Sequence, residues 1–250
     1  MPLLVGGYPT LAEFGCDGRK ALAAVLASSV YQTLAQAIAS LTLFTHPDTI
    51  AQIPGDGALF PAVRDFRKRR TLGFVAERHV GFDDNEVAQH AFRWCNPGMP
   101  SWRDVQLNHI WSRSDDPDCF TAPANLCIAP AFLAKLTDHD AEVAALLRRR
   151  AFDLYGWRPA AEAEPSLPRA YGRLAWADPL PPIADLKSVL RRQLISKPKS
   201  TAAQIARSIG WAFSDFRPDR TLAPNLLANF PDWVWATIFF SHASVLACGG

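Results

Sequence analysis

The spacing of apolar residues predicts both helices and strands along this chain. Apolar residues between 143 and 154 recur at helical spacing after a possible N-cap at Thr137, so we expect a helix that ends at Gly156. Residues 71–82 alternate in part and are rich in Val and Phe, which predicts one or two strands. Residues 21–44 carry no charge and predict one long buried helix, which begins after Asp17 and ends near residue 46.

The remaining segments give shorter patterns. A strand is predicted over 105–111, a polar loop over 112–123 and a short apolar segment over 125–129, after which Pro130 suits the start of a short helix. The Pro-rich stretch 158–182 predicts an extended connection. Further helices are predicted near 61–70, 85–95, 183–195 and 200–212, and from Asp232 onwards.

These elements predict an α+β fold that is mostly helical, with a small sheet in the middle. With 250 residues, the chain is long enough for one large domain or two modest ones. We expect a helical N-terminal part over residues 1–157. Residues 158–250 would form the Pro-rich connection and a helical C-terminal part, and the two parts would pack as one globular unit.

Charge is concentrated in clusters rather than spread over the whole chain. The net charge is only +2, so no global attraction to nucleic acid follows. Basic residues gather at 64–70, at 148–150 and at 187–199, and each group is either a phosphate contact or a solvated helix face. The candidate nucleic-acid contacts are Arg67, Lys68, Arg69, Arg70 and Arg113.

The five cysteines are odd in number and widely spaced, which is typical of reduced thiols in a cytoplasmic protein. A mixed zinc site from Cys95, His109, Cys119 and Cys127 is conceivable, although no standard ligand spacing fits. Residues 21–44 are long enough to span a bilayer. Their Gln, Ser and Thr residues favour a buried helix instead, so no membrane partner is expected.

The stretch 106–132 combines residue types that phosphodiester hydrolysis needs. His109 lies near the end of a predicted strand, and a neutral imidazole held in place can act as a general base towards water. Asn125 returns after the polar loop, just before an apolar segment. Amide oxygens suit a hard divalent cation such as Mg²⁺. Asn108 adjoins His109, but neighbouring strand residues point to opposite faces.

This stretch resembles the ββα-metal core of HNH-type, or His-Me finger, nucleases over about residues 105–136. Leu107-Asn108-His109-Ile110-Trp111-Ser112-Arg113-Ser114 stands where the family usually has Asp-His-Ile-hydrophobic-Pro-Arg-Ser. Ala124-Asn125-Leu126-Cys127-Ile128 stands where the family has Ser-Asn-Leu and apolar residues. The resemblance implies a small ββα-metal-like unit, at about residues 100–136, surrounded by helices.

The resemblance also implies roles for individual residues. His109 would be the general base, Asn108 would replace a metal-binding Asp, and Asn125 would either orient His109 or bind the metal. The metal expected in such an enzyme is Mg²⁺. Many members carry a further His in the helix, where this chain has Leu133 and Ala134. Asn108 also lacks the negative charge of the Asp, which weakens metal affinity.

Three functional hypotheses remain open at this point. The leading one is a metal-dependent endonuclease that hydrolyses DNA or RNA, with DNA favoured by the habit of the family. The alternative is a nucleic-acid or protein binding module that keeps a degenerate HNH-like core. A hydrolase that uses Cys119 or Cys127 with His109 ranks below both, since no oxyanion hole is apparent. Oligomeric state does not follow from the sequence.

Overall fold

The computed structural model describes residues 17–55, 57–99 and 103–213, and over these residues the fold is α+β. The strands are β1 (Leu43–Phe44), β2 (Ala62–Arg64), β3 (Thr71–Val75), β4 (Arg78–Asp83), β5 (Val105–His109) and β6 (Leu126–Pro130). The helices are α1 (Gly18–Ala27), α2 (Leu34–Leu41), α3 (Pro47–Ile50), α4 (Glu86–Trp94), α5 (Ala131–Ala134), α6 (Leu136–His139), α7 (Ala141–Tyr155), α8 (Leu186–Ser196) and α9 (Thr201–Ser208). The final helix predicted from Asp232 lies outside the described residues.

The chain forms two compact units, and each unit draws on separate segments. The first unit comprises Met1–Ala51, Asn96–Arg113 and Pro123–Ile183. The second comprises Gln52–Cys95, Ser114–Ala122 and Ala184–Gly250. Residues 157 and 158, the expected boundary between the two parts of the chain, both belong to the first unit.

The first unit is built on a three-stranded antiparallel sheet in the order β1-β6-β5. Helix α5 packs on β5 and β6, while α2 packs on β6 and on α7. Buried apolar residues of α2, β1, β6 and α7 form one hydrophobic core. Asp140 accepts hydrogen bonds from the first turn of α7, and Gly156 ends that helix with a φ of 63°. The end at Gly156 is therefore confirmed, whereas the predicted cap at Thr137 is wrong.

Residues 21–44 do not form the single helix that the sequence predicts. The hydroxyl groups of Ser28 and Ser29 donate to the carbonyl oxygens of Val25 and Leu26, at 2.9 and 2.7 Å, and α1 ends at Ala27. Thr33 then caps α2 by accepting from the N–H of Gln36. Serine and threonine side chains compete with the helix for backbone groups in this way, so the apolar run divides. In the described part of the chain, no helix is long and apolar enough to cross a membrane.

The second unit holds a three-stranded sheet in the order β2-β4-β3, with β2 parallel and β3 antiparallel to β4. The strands predicted over 71–82 are confirmed as a hairpin whose turn residues, Ala76 and Glu77, both have positive φ. Gly81 in β4 leaves room for the side chain of Ile205, and α9 packs there. The helix predicted over 61–70 is wrong, because β2 and a turn occupy this segment.

Candidate functional site

The predicted site lies where β5 ends beside the start of β6. Asn108 lies opposite Cys127, and His109 lies opposite Leu126. Successive side chains of a strand point to opposite faces of the sheet. The His109 side chain therefore leaves β5 on the face opposite to that of Asn108. His109 is half-buried at the last position of β5. His109 is therefore partly accessible to water.

Asn125 clamps the two residues that follow His109. Its backbone oxygen accepts from the N–H of Ile110 at 2.8 Å, and its side-chain oxygen accepts from the N–H of Trp111 at 2.8 Å. Its side-chain amide donates to the Trp111 carbonyl oxygen at 3.2 Å. Asn125 is 0% exposed. The two residues predicted to act together are therefore held close in the chain fold, through the backbone of residues 110 and 111.

This geometry bears on the two roles that the resemblance allows for Asn125. A metal ligand must present its oxygen to a hydrated cation, but the Asn125 oxygen is buried and already accepts a hydrogen bond. Exchanging that bond for a metal would leave the buried N–H of Trp111 without its partner. The arrangement favours the orienting role over direct metal binding.

Asn108 occupies a buried position against α6. It is 7% exposed, and its amide nitrogen donates to the Gln106 carbonyl oxygen at 3.0 Å. Its amide oxygen lies 3.3 Å from the hydroxyl of Thr137, which also has the Ala134 carbonyl oxygen at 2.8 Å. The Thr137 hydroxyl therefore makes its stronger hydrogen bond to the Ala134 carbonyl oxygen, and its bond to the Asn108 oxygen is weak. Sequence reasoning missed Thr137 as its neighbour because the pairing depends on how α6 packs.

Among the residues that the structure describes, the predicted ligands do not suit a divalent cation. Within residues 17–55, 57–99 and 103–213, no group of three or more His, Cys, Asp or Glu side chains is placed to hold a metal. The two predicted ligands are neutral amides that are buried and hydrogen-bonded. Hard cations prefer several oxygen ligands, carboxylates among them, and His139 lies exposed on α6 without joining such a group.

Two arginines bring positive charge to the clamped segment. The Arg148 guanidinium lies 4.7 Å from the centroid of the Trp111 ring, and its Nε is within 3.5 Å of the Ile110 carbonyl oxygen. Arg113 pairs with Glu162 at 3.1 Å, which offsets part of its charge. The basic triplet at 148–150 therefore has one member beside the candidate site. The sequence contains a signal for Arg148, since the triplet lies largely off the apolar stripe of α7.

The other predicted nucleic-acid contacts, Arg67, Lys68, Arg69 and Arg70, are exposed and lie between β2 and β3 in the second unit.

The cysteines are poor candidates for a nucleophile. Cys119 and Cys127 are both buried, at 1% and 0% exposure. Burial raises the pKa of the Cys127 thiol to about 12, because the charged thiolate would lose its hydration. The reactive form of cysteine is the thiolate, so this thiol is inert at neutral pH. The geometry therefore weakens the hypothesis of a cysteine hydrolase that uses Cys127.

Comparisons with known proteins add no relative to this picture. No protein-family model matches the chain, and searches of curated proteins and of solved structures yield no match.

Proposed function

We propose that this protein is a nuclease that hydrolyses phosphodiester bonds in nucleic acid, with His109 as the general base. The observation that carries the proposal is the Asn125 clamp, which fixes the backbone immediately after His109 through three hydrogen bonds. A general base is effective only when its ring is held in place and reaches solvent. The clamp supports the first condition, and the half-buried position of His109 supports the second.

The chemistry assigned to the chain's own residues is limited. The neutral imidazole of His109 takes a proton from water, and the resulting hydroxide attacks phosphorus. The bond from phosphorus to the leaving oxygen breaks, and that oxygen takes a proton from solvent. Arg148, beside Ile110 and Trp111, adds positive charge near a bound phosphate. DNA is the preferred substrate only because of the resemblance over residues 105–136.

The resemblance also implies Mg²⁺, yet the described side chains do not fit such an ion. No step is therefore assigned to a metal here. The cleavage assay is run in magnesium and again in a chelator, which shows whether the reaction requires a cation.

The test is cleavage of supercoiled plasmid DNA by purified parent and His109→Ala proteins. Loss of the base should lower the cleavage rate by about 100-fold or more. His79→Ala is the matched control, because His79 lies in β4 of the second unit and should leave the rate unchanged. Circular dichroism of each variant checks that the fold is retained. Equal cleavage by His109→Ala and the parent would contradict the proposal.

A second candidate function is supported by Asn108. Where the family usually has a carboxylate, this chain buries a neutral amide against Thr137. Such a core would suit a module that binds nucleic acid without cutting it. This candidate predicts binding that weakens steeply with salt while the plasmid stays intact in magnesium and in chelator. Any nicking that His109→Ala abolishes would exclude it.

A further inference from the structure

The segment between β2 and β3 forms an exposed basic surface in the second unit. We name Phe66–Arg70, with the sequence Phe-Arg-Lys-Arg-Arg, the basic loop. All five residues are exposed, and Phe66 is 62% exposed. A large aromatic side chain at that exposure loses the free energy that burial would give it. Phe66 directly precedes four cationic residues, and its exposure at this position requires an explanation.

Hydrogen bonds involving Asp65 and Arg70 hold the two ends of the basic loop. The Asp65 carboxylate accepts from the N–H of Arg67 at 3.1 Å, and the Asp65 carbonyl oxygen accepts from the N–H of Lys68 at 3.1 Å. At the other end, the N–H of Arg70 donates to the Phe82 carbonyl oxygen at 2.7 Å. These bonds tie the loop to the sheet, so its side chains are presented without a large ordering cost on binding.

Only part of the loop's charge is neutralised within the protein. Lys68 pairs with Asp65 at 3.4 Å, and Arg70 pairs with Glu86 at 3.5 Å. For the other two arginines of the loop, no carboxylate partner exists among the residues that the structure describes. Two exposed positive charges on a fixed loop are therefore available to an anionic partner.

One of these two cations, Arg67, lies beside the exposed aromatic ring. The Arg67 guanidinium lies 5.7 Å from the centroid of the Phe66 ring, and Arg69 follows two residues later. Aromatic rings stack on nucleic-acid bases, and neighbouring cations contact the phosphates that link them. A base is free to stack on a protein ring when it is not already stacked in a duplex.

We infer that the basic loop binds single-stranded nucleic acid, with Phe66 stacked on a base and with Arg67 and Arg69 on phosphates. The choice of nucleic acid over another anion rests on the proposed function, and the choice of a single strand rests on the exposed ring. An acidic protein would use the charges but would gain little from Phe66.

The test measures binding apart from cleavage. Fluorescence anisotropy of a labelled oligothymidylate is followed in a chelator over a range of salt concentrations. Arg67→Ala with Arg69→Ala removes two phosphate contacts, so the slope of log affinity against log salt should fall by about 1.4. Phe66→Ala should weaken binding by about fivefold or more, whereas Phe66→Tyr should retain it.

The matched control removes two exposed arginines outside the loop. Arg169→Ala with Arg173→Ala changes the net charge by the same amount, and the salt slope should stay that of the parent. The proposal is overturned if this control lowers the slope equally, if Phe66→Ala binds as the parent does, or if duplex DNA binds as tightly as the single strand. It is also overturned if polyglutamate of equal charge displaces the oligonucleotide as well as unlabelled oligothymidylate does.

Failure of this inference is distinguishable from failure of the proposed function. If the parent protein binds the oligonucleotide through the basic loop but cuts neither the plasmid nor the oligonucleotide in magnesium, only the nuclease proposal is contradicted. If cleavage depends on His109 but the loop variants bind the oligonucleotide as the parent does, only the inference about the basic loop is contradicted.

Discussion

Replacement of Asn125 by alanine tests the clamp directly. Asn125→Ala removes two side-chain hydrogen bonds, to the N–H and to the carbonyl oxygen of Trp111, a residue that is only 4% exposed. A buried polar group left without its partner costs about 1–3 kcal/mol. The two losses together should lower the free energy of unfolding by about 2–6 kcal/mol, a large fraction of the total for a typical domain.

The assay is urea unfolding followed by circular dichroism, with Asn96→Ala as the matched control. Asn96 is a buried asparagine of the same unit, at 4% exposure, and its side-chain amide donates to the hydroxyl of Thr45 at 2.9 Å. A hydroxyl can rotate towards a new partner whereas a backbone group cannot, so loss of this bond should cost less than the loss of the two Asn125 bonds. A loss below about 1 kcal/mol for Asn125→Ala would refute the clamp.

The same measurement separates a clamp from a metal ligand. Magnesium at about ten times its dissociation constant would stabilise a protein that binds it by about 1.4 kcal/mol. If Asn125 only orients the chain, the difference between parent and variant is the same in magnesium and in chelator. A difference that grows by this amount in magnesium would show that Asn125 is a ligand after all.

Two further predictions concern packing and ionisation. A methyl group at Gly81 would overlap the side chain of Ile205, so Gly81→Ala should lower the free energy of unfolding in urea by about 1–3 kcal/mol. The control is Gly172→Ala, where nothing lies within 4 Å of the new carbon. This control should change the free energy of unfolding by less than about 0.5 kcal/mol. The pKa of Cys127 rises from 9.0 to about 12 on folding, so its contribution to stability is complete below pH 9 and is lost as the pH climbs towards 12. The parent and Cys127→Ala are unfolded in urea at several alkaline pH values. Between pH 9 and 12, their plots of unfolding free energy against pH should differ in slope by about 1.4 kcal/mol per pH unit. Parallel plots would contradict the raised pKa.

Local signals in the sequence predicted several elements of the fold. Partial alternation and the Val and Phe content predicted one or two strands over 71–82, and the structure shows that this segment forms the β3–β4 hairpin. Gly156 marked the end of α7, since a left-handed φ there is easy only for glycine. Prolines indicated an extended segment after residue 158, where only a short 3₁₀ turn interrupts irregular structure.

Local signals failed where a helix and its alternatives were close in free energy. The uncharged run at 21–44 has the composition of one helix, but the hydroxyl groups of Ser28 and Ser29 end α1 and Thr33 begins α2. The basic run at 61–70 has helical composition too. Its residues 62–64 nevertheless form β2 and pair with β4, so they cannot belong to a helix. Tertiary pairing of this kind outweighs intrinsic propensity.

The sequence by itself determined which residue types reach the candidate site: one histidine at a strand end and one asparagine that returns after a loop. Only the tertiary structure decided what each of them does there. The pairing of β5 with β6 brings Asn125 to the backbone of Ile110 and Trp111, and it turns Asn108 towards α6, away from the face of His109. Chain order fixes the residues in a motif, but the direction and the partners of each side chain depend on contacts between segments that are distant along the chain.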